Sequence, residues 1–419
     1  MTEQQRLSAD FWKFWAGQTI SNLGSSFTQF AIPLLVFKLT GSAVNLAITT
    51  AATFLPYLLF GLLIGAWMDR LDRKRTMIAC DLVTAALVVS IPLLSSADAL
   101  SVWWIYGATF LQSTLFIAFS AGEFAAIPSL VDRNDLVTAN GRIQASYSAA
   151  TVAGPLLAGL LVAVMPIQWV LVFDSASFVV SALSLGLIRA SFNEPGEKGK
   201  EAVSILRDIK EGLRYVLGHP VLRNMSLMMA LINLVGSTTW AQLVLFAKDR
   251  LDATDRQVGF LFAAGSAGVV VLSLLAGPLR KRWSFSTVAL TALMLDGLLT
   301  IGLAGTTLYW LALPLWGAAQ GLGILFNINT GSLRQAIVPN YMLGRVLSIA
   351  SVLAWSAIPV GTLIGGWAIE QTDNVAVVYG VIGAAVTLLA FGFRFTALGD
   401  AERYIEDRES LEAEAAVAG

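Results

Sequence analysis

Glu123 and Arg334 are an acid and a base that both stand inside long apolar segments. Glu123 lies five positions before Pro128, and Arg334 lies five positions before Pro339. Charged side chains in hydrocarbon are costly, so they pair or face water and usually serve a function. We predict that Glu123 and Arg334 pair as an inner gate, which protonation of Glu123 or a bound ligand weakens. The alternative is that each side chain reaches water or bonds locally.

Three more acids fall inside apolar segments, namely Asp81, Asp174 and Asp296. A carboxyl group in a low-dielectric environment can take up and release protons near neutral pH. Asp174 is the strongest candidate proton site of the three, because Ser175 and Ser177 make its surroundings polar. For Asp81 and Asp296 we expect structural pairing instead.

Polar residues recur every three or four positions in four of the apolar segments, which places each set on one helical face. Polar groups in hydrocarbon must face protein or water, so the four faces predict a shared cavity. The predicted cavity residues are Gln18, Asn22 and Gln29 in the first segment, Gln112 and Phe116 in the fourth, Asn233, Ser237 and Trp240 in the seventh, and Trp316, Gln320 and Asn327 in the tenth. Hydrogen bonding between helices without a cavity is the alternative.

The composition indicates which elements position these residues. The chain has 419 residues, of which 56% are apolar and 13% are charged, against about a quarter charged in soluble domains. This composition predicts a membrane protein and excludes a soluble enzyme. The single cysteine and the single histidine leave no basis for an internal disulfide, a thiolate metal site or a histidine relay.

Twelve apolar runs approach the ~20 residues that a membrane-spanning helix needs. They cover residues 11–38, 44–68, 76–95, 101–127, 143–165, 168–189, 221–247, 257–279, 287–305, 308–330, 345–368 and 376–397. The sequence therefore predicts an all-α membrane protein with twelve transmembrane helices. Spans one, four, seven and ten are the ones that carry the polar faces.

The lysines and arginines predict the orientation of these spans, because basic loops resist translocation across an energised membrane. With a cytoplasmic N-terminus, the inner segments hold all of the 27 lysines and arginines except Lys38, Lys248, Arg250 and Arg256. Both termini are therefore predicted to be cytoplasmic. The formal net charge of −1 gives no indication of a nucleic-acid partner.

The longest polar stretch divides the chain into two six-helix halves. The predicted domains are an N-terminal bundle over 1–190, a cytoplasmic linker with an amphipathic surface helix over 191–220, a C-terminal bundle over 221–399 and a cytoplasmic tail over 400–419. The halves also resemble each other, because the segment Gly122–Pro128 corresponds to Gly331–Pro339 and each is followed by a Gly-Arg pair. Such a repeat is typical of secondary transporters.

The loop after the second span has the sequence GAWMDRLDRKR and resembles the signature loop of the major facilitator superfamily. The residues that match the superfamily pattern are Gly65, Asp69, Arg70, Arg73 and Lys74. Asp72 stands where glycine is more usual. We expect Asp69 to cap the positive N-terminal end of span eleven, near Gly344, while the bases meet anionic headgroups and loop acids. The alternative for 70–75 is a positive-inside anchor.

Span five carries a second motif, formed by Gly154, Pro155, Ala158 and Gly159. It resembles the G-P-x-x-G-G motif of antiporters and exporters in that superfamily, with alanine replacing one glycine. Proline bends a helix, and small residues allow close packing. The alternative is the ordinary glycine content of a membrane helix.

The strings EGLRYVLGHPVLRNM (211–225) and FDSASF (173–178) narrow the resemblance to the bacterial branch of macrolide-efflux proteins and enterobactin-type siderophore exporters. The likeness covers the whole chain except the tail. It implies two pseudo-symmetric six-helix bundles around central spans one, four, seven and ten. In this superfamily Glu123 is a departure, since many relatives carry a basic residue there.

The resemblance also implies export of an amphipathic drug- or siderophore-class molecule across the bacterial inner membrane in exchange for protons. The expected partners are this small molecule, protons and membrane lipid, with no cofactor beyond the proton gradient, and we expect a monomer. No G-x-x-x-x-G-K-[ST] loop occurs in the sequence, so direct use of ATP is not expected. The alternatives are a small-nutrient importer, a lysolipid flippase on the same fold and, more remotely, a non-transporting membrane sensor or assembly partner.

Overall fold

The computed structural model describes residues 7–68, 71–132, 135–162, 164–193 and 205–404. These residues form helices joined by short connections, and no β-strand occurs among them. In this part of the chain, eleven helices are long and apolar enough to cross a membrane, or twelve when a bent pair counts as one span. The predicted all-α fold is thereby confirmed.

The first six spans follow one another with short turns. They are α1 (Ala9–Thr40), α2 (Ala43–Met68), α3 (Arg73–Ser96), α4 (Val102–Leu130), α5 (Leu136–Val162) and α6 (Ile167–Leu187). The first turn of a helix leaves N–H groups free, and short polar side chains accept from them. Ser8 accepts from the N–H of Phe11, and Asp72 from that of Arg75. Gly41, with φ at 59°, ends α1 in the left-handed conformation that glycine adopts readily.

The helix α7 (Ile205–Gly218) lies in the stretch where an amphipathic linker helix is predicted. Residues 194–204 of that linker and 405–419 of the predicted tail lie outside the described residues. The remaining helices are α8 (Pro220–Ala241), the single turn α9 (Leu243–Leu245), α10 (Asp255–Arg280), α11 (Phe285–Gly305), α12 (Tyr309–Ile337), α13 (Asn340–Trp355), α14 (Ala357–Thr372) and α15 (Val375–Phe393).

Two predicted spans are not single straight helices. Span eleven is divided at Ser356 between α13 and α14, and Pro359 favours this break because it offers no N–H to the carbonyl four residues earlier. Span seven bends by 43° where α8 meets α9. At this bend the hydroxyl of Tyr379 donates to the carbonyl of Thr239 at 2.5 Å, and the Tyr379 ring stacks on Phe246 with centroids 4.6 Å apart.

The chain forms two compact units, and each has its own packing. Unit 1 comprises Met1–Glu201 and Thr254–Ala263, and unit 2 comprises Ala202–Ala253 and Ala264–Gly419. Within unit 1, α6 packs on α1 and α3, and α2 pairs with α4. Within unit 2, α11 packs on α12 and α15, and α8 packs on α14. Close packing of this kind holds membrane helices together where lipid removes the hydrophobic drive between them.

Candidate functional site

The structure describes the signature loop, residues 65–75, except for two of its residues. Gly65 lies in α2, and Arg73 and Lys74 begin α3. Asp69 and Arg70 lie outside the described residues. The predicted capping of span eleven by Asp69 therefore stays a prediction.

Arg73 and Lys74 fasten the start of α3 to the chain that follows α6. The Nη1 of the buried Arg73 donates to the carbonyl of Phe192 at 3.0 Å, and the Nζ of Lys74 donates to the carbonyl of Ile188. Carbonyl groups at and after a helix end lack intrahelical donors, so the two bases satisfy them. Both bases bond to backbone carbonyls within unit 1, and the expectation that the bases of this loop meet headgroups and loop acids stays a prediction.

Gly154 and Gly159 of the α5 motif mark two close helix contacts inside unit 1. A Cβ on Gly154 would lie 2.1 Å from the Cβ of Ser26 in α1, and a Cβ on Gly159 would lie 2.6 Å from the Cα of Gly259 in α10. No side chain fits at either position, so the missing side chains let the backbones approach. The other members of the motif are Pro155, half-buried, and Ala158, fully buried.

Two further contacts hold the first turns of α10 in unit 1. The Nζ of Lys38 forms an ion pair with Asp255, and the rings of Phe30 and Phe262 meet edge to face with centroids 5.5 Å apart. Apolar runs and helical spacing do not predict this contact of α10 with unit 1. Its one signal is that Lys38 is among the few basic residues outside the predicted inner loops.

The predicted cavity residues of α1 are not equally accessible: one is buried against α6, and the others are half-buried or exposed. Gln18 is only 5% exposed, and its Nε2 donates to the Oγ of Ser181 in α6 at 3.0 Å. The assignment of Gln18 to a cavity surface is therefore wrong, because the helix spacing identified the face but not the neighbouring helix. The other predicted cavity residues of unit 1 are Asn22 and Gln112, half-buried, and Gln29 and Phe116, exposed.

The predicted cavity residues of unit 2 are divided in the same way. Trp316 is 3% exposed and its Nε1 lies 2.8 Å from where a Cβ on Gly265 of α10 would stand. Asn233 donates through Nδ2 to the carbonyl of Ala354 at 2.8 Å. Both side chains therefore join helices within the unit, and the cavity assignment of Trp316 is corrected. The others are Ser237 and Gln320, half-buried, and Trp240 and Asn327, exposed.

Asp174 lies fully buried in the contact between α6 and α1. The hydroxyl of Thr28 donates to its Oδ2, and the Oγ of Ser177 lies 3.2 Å from its Oδ1. Gly24 leaves room for this arrangement, since a Cβ there would stand 2.6 Å from Oδ1. The Ser177 hydroxyl also donates to the backbone carbonyl of Asp174 at 2.7 Å, so its single hydrogen is shared between that carbonyl and Oδ1.

Glu123 and Arg334 have different surroundings in their own units. Glu123 is half-buried on α4 in unit 1. Arg334 is 6% exposed on α12, its Nη2 lies 3.2 Å from the Sδ of Met229, and its Nε has no hydrogen-bond partner among the described residues. An unsatisfied buried guanidinium is costly, so Arg334 requires an acceptor that its described neighbours in unit 2 do not supply.

Asp81 is a buried acid on α3 in unit 1. It is only 3% exposed on α3. Its Oδ2 has no hydrogen-bond partner among the described residues. Nothing in the local sequence distinguishes Asp81 from the other intramembrane acids, because its neighbours come from other helices.

Comparisons with known proteins agree with this architecture. The family model described as "Transmembrane secretion effector" matches residues 7–412. Macrolide efflux protein A of Streptococcus pyogenes is 26% identical over 359 residues, which cover 84% of this chain and 88% of the relative. Multidrug efflux pump Tap of Mycolicibacterium fortuitum is 28% identical over 365 residues, which cover 82% of this chain and 85% of the relative.

Solved structures give the same fold. A bacterial homologue of the iron transporter ferroportin in an inward-facing state has a TM-score of 0.73 at 19% identity and covers 93% of this chain and 98% of its own. The nucleoside transporter NupG has a TM-score of 0.72 at 12% identity and covers 92% of this chain and 98% of its own. At such identities these structures are informative about the fold alone.

Proposed function

Because the chain belongs to the transmembrane secretion effector family of the major facilitator superfamily, we propose that it exports an amphipathic small molecule in exchange for protons. It is an efflux-type membrane transporter rather than an enzyme. The observation that carries the proposal is the likeness to efflux proteins over more than four-fifths of the chain. Secondary transporters of this type move a central site between the two membrane faces by rocking of their halves.

Buried acids support the choice of protons as the driving ion. A carboxyl group inside a membrane protein marks an ion or proton route by default, and Asp174, buried, and Glu123, half-buried, are the acids of unit 1 that we propose for this role. One charge moving down 100 mV supplies about 2.3 kcal/mol, which supports about forty-fold accumulation. That amount suffices for efflux without ATP.

The side chains that stay accessible support a bulky, weakly polar or zwitterionic substrate. Gln29, Phe116, Trp240 and Asn327 are exposed and offer amides and aromatic rings rather than charges. Aromatic and amide groups bind amphipathic compounds through apolar contact and a few hydrogen bonds. A drug- or siderophore-class compound fits side chains of these types better than a sugar phosphate does. A small-nutrient importer and a lysolipid flippase remain the second candidates on the same fold.

The direct test of export uses everted membrane vesicles from a host that lacks its own pumps. With erythromycin as the probe, a proton gradient that is acidic inside the vesicles should drive uptake, and collapse of the gradient with an uncoupler should stop it. Asp69→Asn should lower uptake, because it removes the predicted cap on span eleven. Uptake equal to that of vesicles without the protein, for erythromycin and for a panel of dyes and siderophores, would refute export.

The same vesicles separate the rival functions. A nutrient importer would accumulate its substrate in intact cells rather than in everted vesicles. A lysolipid flippase would move a labelled lysolipid between the leaflets of proteoliposomes without a response to the drug panel.

A further inference from the structure

Arg334 is a buried base whose surroundings in unit 2 lack an anionic group. It is 6% exposed on α12. Among the described residues its Nη2 bonds to the thioether Sδ of Met229 on α8 at 3.2 Å, and its Nε bonds to none. A thioether sulfur is a weak acceptor. The ion pairs recorded among the described residues do not include Arg334, and a buried charge without a counter-charge is costly.

The face of α12 beside this guanidinium is open. Gly323, Asn327, Gly331 and Arg334 follow one another at intervals of four, four and three residues, so they share one helical face. A Cβ added to Gly323 or to Gly331 would have no described atom within 4 Å, and Asn327 is exposed. A helical side chain leans toward the helix N-terminus. The Arg334 side chain therefore points over the turn that holds Gly331.

The helix α8 contributes a second open face. Met229, Asn233, Gly236 and Trp240 recur at intervals of four, three and four residues. A Cβ added to Gly236 would have no described atom within 4 Å, and Trp240 is exposed. Spans seven and ten run in opposite directions, because two spans lie between them in the chain. Both open faces therefore lead away from the contact of Met229 with Arg334 toward the same side of the membrane.

The helix α10 ends the open stretch of α12 at its other end. A Cβ on Gly265 would lie 2.8 Å from the Nε1 of Trp316 and 3.3 Å from the Cγ of Gln320. From Gly323 to Gly331 the helix axis rises about 12 Å. We call this stretch the Arg334 groove, and it is lined by Gly236, Trp240, Gly323, Asn327, Gly331 and Arg334.

We propose that the Arg334 groove is a substrate site of unit 2, in which Arg334 binds a carboxylate or another anionic group of the exported molecule. The inference rests on the proposed export and narrows its substrate to amphipathic acids and zwitterions. A guanidinium forms paired, charge-assisted hydrogen bonds with a carboxylate. Along the groove, the indole of Trp240 and the amide of Asn327 offer apolar contact and hydrogen bonding to the rest of such a molecule.

Glu123 is the rival partner for the guanidinium, because the predicted inner gate uses the same base. A gate without a ligand site predicts that an acidic group on the transported molecule brings no advantage. A ligand site predicts that the anionic group of the molecule competes with Glu123 for Arg334. Substrate binding would then weaken the gate, which is the ligand effect expected above.

Binding to the purified protein in lipid nanodiscs tests the site without transport. The probes are ciprofloxacin, fusidic acid and mupirocin, each paired with its methyl ester, which lacks the carboxylate. In at least one pair the acid should bind about tenfold to a hundredfold more tightly than the ester, since a hydrogen bond to a charged group contributes about that factor. Nanodiscs without protein give the background that is subtracted.

Substitutions at Arg334 should remove this preference selectively. Arg334→Gln should lower the affinity for the acid to that for the ester and leave the ester unchanged. Arg334→Lys, which keeps the charge but not the planar fork, should keep part of the preference. Arg282→Gln, a matched change of an exposed arginine in unit 2, should keep all of it.

The groove itself is tested by filling it. Gly331→Leu places a side chain in the open space and should abolish binding of both the acid and the ester. Gly277→Leu is the matched control, because Gly277 lies on α10 in unit 2 and a Cβ there also has no described atom within 4 Å. It should bind as the unmodified protein does. The thermal unfolding midpoints of both variants show that they are folded.

Two results would overturn the site. One is equal affinity for acid and ester in all three pairs, which includes the case in which neither form binds. The other is a preference for the acid that survives in Arg334→Gln. If the preference depends on Arg334 but no probe undergoes gradient-driven transport in vesicles, export fails and the site stands. If erythromycin or the esters are exported without any preference for the acids, the site fails and export stands.

Discussion

His219 is the only histidine of the chain and the residue directly before α8. Its Nδ1 accepts from the N–H of Leu222 at 3.5 Å, and its ring lies 5.5 Å from that of Tyr404. Burial lowers the pKa of His219 below its ordinary value of 6.5. Below that value the unfolded chain therefore binds the proton more readily than the folded protein does. The free energy of unfolding must fall as the pH drops through this region.

We expect the melting temperature to decrease between about pH 7 and about pH 5 more steeply in the unmodified protein than in His219→Asn. Asparagine keeps an acceptor for the first turn of α8 and does not titrate. Because only one histidine is present, its imidazole signal in a nuclear magnetic resonance titration reports this group alone and should have a midpoint below 6.5. Equal slopes for both proteins, or a midpoint above that value, would contradict the assignment.

At the scale of elements, the contact of α5 with α10 shows why the motif on α5 needs glycine. Gly159→Val should force a side chain into the backbone of Gly259, which stands 2.6 Å from where the Cβ would be. Overpacking of this kind costs about 1–3 kcal/mol. The first turns of α10 should therefore move away from α1. Cross-linking by a bis-maleimide between cysteines introduced as Lys38→Cys and Asp255→Cys should proceed in lower yield in this variant, because a disulfide is too short to span the positions of this ion pair.

Gly141→Val provides the matched control for that experiment. Gly141 lies on the same helix, and a Cβ added there would have no atom within 4 Å of it among the described residues. The cross-linking yield should therefore stay at the level of the parent cysteine pair. Equal yields in Gly159→Val and Gly141→Val would show that the glycine contact does not hold α10.

The sequence predicted where the membrane-spanning helices lie. It did not predict where a span bends or which neighbouring helix each polar face contacts. Apolar runs alone predict span seven as continuous, but Tyr379 and Phe246 come from distant parts of the chain and meet at the bend of that span. Helical spacing predicts that Gln18 and Trp316 share faces with other polar residues, but it does not identify the helix each face meets. Gln18 contacts Ser181 within unit 1, and Trp316 contacts Gly265 within unit 2. Periodicity thus predicts on which face of its helix a side chain lies. Which neighbouring helix that face contacts is determined by the packing of the whole unit.

At the scale of the whole molecule, the acid and the base of the predicted gate belong to different units of the chain. Arg334 forms no ion pair with a described acid of unit 2, and its Nε has no hydrogen-bond partner there. A buried guanidinium needs a counter-charge at some stage of the cycle. Glu123 is the acid that the internal repeat places at the corresponding position of the first half. Pairing of Glu123 with Arg334 therefore stays our prediction for the closed state of the inner gate.

Charge reversal tests this pairing. Glu123→Arg should abolish transport of erythromycin, because it sets two bases at the gate. Adding Arg334→Glu should restore downhill exchange, since the opposite charges are present again. Arg282→Glu, which reverses an exposed arginine in unit 2, is the control second change and should rescue nothing. If the double variant with Arg334→Glu exchanges drug no better than Glu123→Arg alone, the Glu123–Arg334 gate is excluded. If Arg282→Glu restores exchange equally well, the rescue is a general effect of charge and not evidence for the gate.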